Sequence, residues 1–473
     1  MSVGGCPWPG SSRGGRSIQG GRSVRHGVEA EWPLDRRTAP VSHGLDTAVL
    51  GAAAGCIILW SLVAARLERL YVTAPIAFVV MGLVITHGPL AFIHFNPHSS
   101  TIRSLAEVTL ALVLFTDASR VNVHELRHDL GLPVRLLAVG LPLAIGLGTA
   151  VAFGLIPGIS LWVAAAIGAI VAPTDAALGA TIMEDTRIPN RIRRLLNVES
   201  GLNDGIATPF VNVFLAGAAS TELVHSTSAL GAVGELLIGV GVGVGVGLVG
   251  GWSVTRATAR GWSSGGFRSL SALGLALLAY SASIEAHGNG FVAAFMAGMA
   301  FGSLVRRDLE PLVDFAEEAG GLLSLMVWLI FGAAMVVPGF EHATWQDCLF
   351  AVLALTVVRM VPVAFALVGS GLGRFTVGVI GWFGPRGLAS VVFGLIAYDT
   401  LDPADAGRVL SVVTVTIALS VVAHGLSAAP LAARYGRFSA TLAGHRPEHT
   451  TTPAMRPHRS LGGHVGAAED LDA

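Results

Sequence analysis

Long apolar segments recur along most of the chain, and short polar segments separate them. Most of the apolar segments reach the roughly 20 residues that an α-helix needs to cross a bilayer. The pattern therefore predicts an all-α, polytopic membrane protein with about 13 transmembrane helices. The predicted spans cover residues 45–65, 72–87, 101–118, 132–155, 159–184, 191–217, 231–255, 268–286, 289–305, 319–337, 345–369, 375–398 and 408–432.

Two segments outside the predicted spans are expected to be disordered. Residues 1–44 are rich in Gly, Arg, Ser and Pro and lack an apolar run, and residues 434–473 form a polar tail. The membrane domain is then expected over residues 45–433. Residues 306–320 are amphipathic and are expected to connect spans nine and ten along the cytoplasmic surface.

Arginine residues predict the orientation of the chain. They follow the odd-numbered spans and are scarce in the other loops, which is the positive-inside pattern. This pattern places the N-terminus outside and the C-terminus in the cytoplasm. The Arg-rich N-terminal tail favours the opposite orientation, but the regular short loops carry more weight.

Spans five and twelve are each interrupted near the middle, by Ala172-Pro173-Thr174-Asp175 and by Gly384-Pro385-Arg386-Gly387. Proline lacks a backbone N–H and breaks a helix. Paired interruptions of this kind indicate a transporter with two inverted six-helix repeats and crossing discontinuous helices. Because half-helix N-termini carry positive dipole ends, we expect Asp175 to neutralise one of them and Arg386 to face a helix C-terminus. The simpler alternative is a proline kink.

Asp204 in span six is the predicted cation-binding carboxylate. An acid at the centre of a bilayer costs about 2.5–3.5 kcal/mol, so it marks a functional site by default. Desolvation favours the protonated carboxyl, so a proton can compete with a cation there. Thr174, Ser200 and Asp117 are candidate oxygen ligands for the same ion, and Ser200 shares a helix face with Asp204 at i, i+4. The alternative role of Asp204 is in a structural ion pair.

Glu199 comes one residue before Ser200, so it is rotated by about 100° away from the helix face that Ser200 and Asp204 share. A buried acid needs a cationic partner. Arg359 and Arg386 are the two arginines deep in predicted spans, and charge alone does not choose between them.

Span seven contains GVGVGVGVGLVGG from Gly239. An isolated strand cannot satisfy its backbone in lipid, so we predict a helix. Its glycines at 239, 243, 247 and 251 form one stripe that lets a second helix approach closely. The partner is either a helix of the same chain or a second copy of the protein.

The composition agrees with a membrane protein. The chain is 52% hydrophobic and 13% charged, with mean hydropathy +0.66, whereas soluble domains contain about 25% charged residues. A net charge of -1 gives no reason to expect nucleic-acid binding. The three cysteines are far apart and form neither a metal-binding pattern nor a disulfide framework.

Several motifs resemble the sodium/hydrogen exchanger family, the first branch of the monovalent cation/proton antiporters. They are NVESGLNDG, APTDAALG, LFTDASRV, GNGFVAAFMAGMAFG, GPRGLAS and AHGLSAAPLAARYG, together with the deep Arg359. The resemblance covers about residues 45–435. It implies an inverted-repeat fold, usually a homodimer, that sits in the cell membrane and exchanges Na⁺, sometimes K⁺ or Li⁺, for protons.

The resemblance also assigns expected roles to residues. It implies that Asp204 is the essential ion-binding acid and Asn203 its paired amide, and that Glu199 pairs with Arg359. The other matched positions are Thr174 and Asp175 of the crossing helices, Asp117 of the third span and Arg386 of the glycine-rich break. Many family members have Pro after the Thr-Asp pair, whereas this chain has Ala176.

The leading hypothesis is a secondary active antiporter, not an enzyme, that binds a cation or a proton at Asp204 by alternating access and needs no cofactor. Na⁺ is the first choice of substrate, and a K⁺/H⁺ antiporter of the same fold is the alternative because both ions take oxygen ligands. A passive channel is disfavoured because no selectivity-filter-like run is present. An intramembrane hydrolase using Asp175 and Asp204 is disfavoured because the surrounding motifs do not resemble one. The resemblance implies that Asn203 stands where electrogenic relatives of the wider superfamily carry a second acid, so we expect electroneutral exchange.

Overall fold

The structure, a computed structural model, describes residues 47–68, 72–87, 100–120, 131–183, 185–220, 229–305, 309–442 and 447–449. The predicted tail over residues 1–44 lies outside the described residues. Within them the chain is helical and contains no strand.

The helices are numbered here in chain order. They are α1 (Thr47–Glu68), α2 (Ala74–His87), α3 (Ser100–Arg120), α4 (Gly131–Arg135, a π-helical turn Leu136–Gly140, and Leu141–Leu155), α5 (Leu161–Ile170), α6 (Ala176–Met183), α7 (Asn190–Ser220), α8 (Ala229–Ala259), α9 (Gly265–Glu285), α10 (Gly290–Leu304), α11 (Leu309–Ile330, a π-helical turn Phe331–Met335, and Val336–Glu341), α12 (Trp345–Leu355 and Val357–Ala366), α13 (Arg374–Trp382), α14 (Leu388–Thr400) and α15 (Pro403–Ala440).

Each predicted span coincides with a helix or with a broken pair of helices, so the all-α prediction is confirmed. Among the described residues, seven helical segments are long and apolar enough to cross a membrane singly. The exact number of crossings and the inverted six-helix repeats stay predictions. The seven segments are Thr47–Leu67, Gly131–Leu155, Gly231–Ala259, Phe267–Glu285, Pro311–Glu341, Trp345–Ala366 and Pro403–Ala440.

The structure differs from the prediction at two boundaries. The segment expected to connect spans nine and ten is the start of α11, where Glu317 forms an ion pair with Arg120 of α3. The predicted tail boundary at residue 433 falls inside α15, which continues to Ala440. In this continuation Phe438 packs against Phe375 of α13, with ring centroids 5.0 Å apart. Beyond α15, Pro447–His449 forms a 3-10 turn.

The helices pack as two bundles. The first, called here the scaffold bundle, contains α1–α3 and α8–α11, and the second, called the broken-helix bundle, contains α4–α7 and α12–α15. Across the boundary, α7 packs against α3, α8 and α10, α14 packs against α3 and α11, and α15 packs against the end of α11. The helix that carries Asp204, α7, therefore lies at the junction of the two bundles.

The glycine stripe of α8 packs within the chain. A side chain added at Gly239 would lie 2.7 Å from the Asn289 carbonyl oxygen, and one added at Gly247 would lie 2.8 Å from Cβ of Ala300 in α10. Gly243 and Gly251 face α10 in the same way. The second possibility, a contact between two copies through this stripe, is excluded because α10 covers it.

Candidate cation-binding site

Both predicted breaks are present. The last hydrogen bond of α5 runs from the Val171 amide to the Ile167 carbonyl at 3.1 Å, and Pro173 in the following unwound segment has no N–H to continue the ladder. In the second break, α13 ends at Trp382 and α14 begins at Leu388. We refer to α5–α6 and α13–α14 as the two broken helices.

The two broken helices cross and hydrogen-bond to each other. The Asp175 amide donates to the Pro385 carbonyl at 2.8 Å. The Asp175 carboxylate accepts from the Leu388 amide at 2.9 Å and from the Leu178 amide at 3.4 Å. A single acid thus neutralises the N-terminal ends of α14 and α6, where an anion typically contributes about 0.3–1 kcal/mol and up to about 2 kcal/mol when partly buried.

Arg386 lies at the C-terminal ends of helices, whereas Asp175 lies at N-terminal ends. Its fully buried guanidinium donates to the carbonyl oxygens of Ala172 at 2.6 Å, Pro173 at 3.2 Å and Ala354 at 3.1 Å. These carbonyls follow the C-terminal end of α5 or belong to the last turn of the first segment of α12. A cation there complements the negative ends of helices, as the charge pattern of the sequence predicts.

Asn203 and Asp204 lie on α7 beside this crossing. The Asn203 side-chain amide donates to the Thr174 hydroxyl at 2.6 Å, which links α7 to the first break. Asp204 is 8% exposed, and Thr174 and Asn203 are also buried. Within the described part of the chain, Oδ1 of Asp204 and Oδ1 of Asn203 are buried oxygens without a hydrogen-bond partner. A buried, ionised carboxylate is costly unless a proton or cation neutralises it.

The other predicted ligands have different surroundings. The Ser200 hydroxyl donates to the carbonyl oxygens of Leu196 at 3.0 Å and Asn197 at 3.3 Å in its own helix, so its proton is used locally. Asp117 of α3 packs against Gly201 of α7, where an added Cβ would lie 3.6 Å from that of Asp117. Asp117 therefore lies where α3 meets the helix that carries Asp204.

The structure pairs Glu199 with Arg359. The two terminal nitrogens Nη1 and Nη2 of Arg359 lie 2.5 and 2.7 Å from the two carboxylate oxygens of Glu199, which is bidentate geometry. Both side chains are buried. Arg386, the other possible partner, is committed to three carbonyl oxygens, as described above.

Three further residues at the crossing were not predicted as site residues. An added side chain at Gly387 would overlap Asp175, and one at Gly384 would lie 2.5 Å from Nε of Arg359 and 3.0 Å from Cγ2 of Thr174. The Ser390 hydroxyl donates to the Ile170 carbonyl at 2.7 Å. All three belong to the GPRGLAS segment, whose density of glycine in an apolar span is the signal for close backbone approach.

Together these contacts place one acid with an unpartnered oxygen beside an amide–hydroxyl pair, in a membrane-embedded crossing whose helix ends carry compensating charges. Oxygen atoms of carboxylate, amide and hydroxyl groups are the ligands that hard cations prefer. The arrangement can hold one cation or one proton at Asp204.

Comparison with known proteins points in the same direction. The sequence model of the family described as "Sodium/hydrogen exchanger, transmembrane" matches residues 57–434. The structure resembles that of the sodium proton antiporter MjNhaP1 from Methanocaldococcus jannaschii at pH 8, with TM-score 0.68 and 21% identity over 82% of this chain and 99% of that chain.

Among sequence relatives, the K(+)/H(+) antiporter NhaP2 of Shewanella baltica (strain OS223) is 23% identical over 339 residues, 69% of this chain and 56% of that protein. The K(+)/H(+) antiporter NhaP of Alkalimonas amylolytica is 23% identical over 398 residues, 80% of this chain and 65% of that protein. A Na(+)/H(+) antiporter of Saccharomyces cerevisiae (strain ATCC 204508 / S288c) is 30% identical over 155 residues, 30% of this chain and 15% of that protein. The chain thus spans less than two thirds of the length of these relatives.

Proposed function

Because the chain belongs to the sodium/hydrogen exchanger family, we propose that it is a secondary antiporter that exchanges a monovalent cation for protons across the cell membrane. The observation that carries the proposal is the buried Oδ1 of Asp204, which has no hydrogen-bond partner among the described residues. In the proposed cycle this carboxylate binds a cation from one side and a proton from the other.

The residues around Asp204 have distinct proposed roles. Asn203 and Thr174 contribute oxygen atoms and hold α7 at the first break through their 2.6 Å hydrogen bond. Asp175 and Arg386 stabilise the broken helices, and Glu199 with Arg359 holds α7 against α12. Asp117 of the scaffold bundle lies against Gly201 of α7, three residues before Asp204, and we assign it to the path by which ions and protons reach the site. Ser200 contributes at most its acceptor lone pairs, because its proton is used within α7.

Na⁺ is the proposed cation, as for the antiporter of similar fold named above. K⁺ is a second candidate because the two bacterial relatives that share most of this chain are named as K(+)/H(+) antiporters. The oxygen ligands named here suit either ion. The arginine pattern supports an external N-terminus and a cytoplasmic C-terminus, and the family resemblance supports a homodimer.

The test is proton flux in everted membrane vesicles, followed with a pH-sensitive dye while Na⁺, K⁺ and Li⁺ are added in turn. Wild-type protein should dissipate the pH gradient across the vesicle membrane when at least one of these ions is added. Asp204→Asn should insert into the membrane and lose the exchange, since an amide cannot bind a proton or neutralise a cation. Exchange by Asp204→Asn at the wild-type rate would refute the assignment of the site.

A further inference from the structure

Two side chains of α15 hold both ends of the second break. Ser420 and His424 are fully buried and lie one helical turn apart, so they share one face of α15. Neither belongs to the cation site described above. Both face the unwound segment that joins α13 to α14.

His424 holds the end of α13. Its Nε2 lies 2.9 Å from the Trp382 carbonyl oxygen, and its ring stacks on the Trp382 indole with centroids 5.2 Å apart and an interplanar angle of 27°. The Trp382 indole N–H also donates to the Ser427 hydroxyl of α15 at 2.9 Å. The last residue of α13 is therefore fixed through its carbonyl and its ring.

Ser420 holds the segment on the other side of the break. Its hydroxyl oxygen accepts from the Arg386 amide at 2.7 Å. The same hydroxyl lies 3.2 Å from Nδ1 of His424. Nδ1 also lies 2.9 Å from the Ser420 backbone carbonyl oxygen, so each ring nitrogen of His424 is within hydrogen-bond distance of a carbonyl oxygen, and either nitrogen can carry the proton of a neutral ring. A continuous chain of polar contacts runs from the Arg386 amide through Ser420 and His424 to the Trp382 carbonyl.

This chain of polar contacts reaches the cation site through the break. The short segment between Trp382 and Arg386 contains Gly384, which lies against Arg359 and Thr174. Thr174 in turn accepts the hydrogen bond of Asn203. A displacement of the segment would therefore move Thr174 and Asn203, although α15 makes no hydrogen bond to either.

We propose that Ser420 and His424 are positioning residues that fix the second break and thereby set the affinity of the site for its cation. The proposal rests on the proposed function, since it assumes that the crossing binds the exchanged ion. It predicts an effect on the half-saturating cation concentration that exceeds any effect on the amount of folded protein.

The experiment compares four variants in the vesicle assay, using the cation that the wild-type protein exchanges best. Ser420→Ala removes the acceptor of the Arg386 amide, and His424→Phe keeps an aromatic ring but removes both nitrogens. His424→Gln retains a donor that can reach the Trp382 carbonyl. Ser411→Ala is the matched control, because Ser411 is an equally buried serine of α15 whose hydroxyl has no hydrogen-bond partner in the described residues.

We expect Ser420→Ala and His424→Phe to raise the half-saturating cation concentration about fivefold or more. The first leaves the buried Arg386 amide without its acceptor, and the second removes the ring nitrogen that contacts the Trp382 carbonyl, which then keeps only the Gly384 amide as donor within the described part of the chain. His424→Gln and Ser411→Ala should stay within about twofold of the wild-type value. The Gln side chain still offers a donor to the Trp382 carbonyl, and the Ser411 hydroxyl has no hydrogen bond to lose among the described residues. Melting curves of the purified proteins report folding separately. If His424→Phe does not fold, the comparison of Ser420→Ala with Ser411→Ala decides.

Equal half-saturating concentrations for Ser420→Ala and Ser411→Ala would overturn the proposal, and so would an equal loss of affinity in His424→Gln and His424→Phe. Failure of the proposed function would be recognised differently, because wild-type vesicles would then show no cation-dependent proton flux at all.

Discussion

The buried pair of Glu199 and Arg359 allows a quantitative prediction. Their side chains are 4% and 6% exposed, and both carboxylate oxygens are bonded. Removing one partner of such a pair costs about 3–5 kcal/mol, because the remaining charge stays buried without compensation. At about 2–4 °C per kcal/mol, the value for domains of 150–250 residues, the expected loss in melting temperature is about 6–20 °C. Because this chain has 473 residues, we expect the loss in melting temperature to fall in the lower part of this range.

The assay is a double-mutant cycle with Glu199→Gln and Arg359→Met, measured by thermal melting of the protein in detergent. The double variant should be more stable than the sum of the single losses predicts, by up to about 3 kcal/mol, because it contains no uncompensated charge. The control is Arg103→Met, since Arg103 is 43% exposed in its 2.7 Å contact with Glu107 and such a pair contributes less than about 1 kcal/mol. Strictly additive losses in the cycle would refute the reasoning.

Three other predictions follow from the site and its surroundings. Gly387→Ala should abolish exchange, because the added methyl group overlaps Asp175; wild-type flux in vesicles would contradict this. The Arg187 side chain donates a hydrogen bond to the Asp185 carboxylate and holds the pKa of Asp185 below its usual range. Asp185 therefore stabilises the fold at pH values above its unfolded-state pKa of about 3.9. This stabilisation is lost as the pH falls through the lower folded-state pKa. Asp185→Asn should therefore lower the melting temperature slightly near neutral pH and not below that range, whereas a loss independent of pH would argue against the ion pair. With Asn203 in place of a second acid, the reversal of sodium-driven proton flux in liposomes should not move with a valinomycin-set membrane potential, and a shift would show that a second acid such as Asp117 or Asp175 carries a proton.

Much of this arrangement follows from local sequence rules. Pro173 and Pro385 each remove a backbone donor inside an apolar span, so the positions of both breaks could be predicted. Asp175 and Arg386 were expected near helix ends of opposite polarity because they are the charges next to those prolines. The structure places each of them at such an end.

The contacts between distant segments could not be predicted from the same rules. Charge alone allowed Glu199 to pair with either deep arginine. The choice depends on Arg386 being bound to the carbonyl oxygens of Ala172, which follows α5, and of Ala354 in α12. Ser200 shares the helix face of Asp204, but its hydroxyl donates to the preceding turn, which helix periodicity does not reveal. The α8 glycine stripe predicted close packing, while the identity of its partner, α10, required the tertiary structure.

The hydrogen bond from the Asp175 amide to the Pro385 carbonyl has a consequence for how the protein moves. The residues of both breaks are mostly buried, so their polar groups bond to the other break, to Asp175, to Arg386 and to Ser420 of α15. Pulling the two breaks apart would expose several backbone groups to hydrocarbon, at several kcal/mol for each. The crossing should therefore travel as one rigid piece during transport. If the chain exchanges ions as proposed, we expect the movement at the surfaces where α7 meets α3, α8 and α10 and where α14 meets α3 and α11. The packing of these surfaces, and not the unwinding of either broken helix, would then set the energy barrier to exchange.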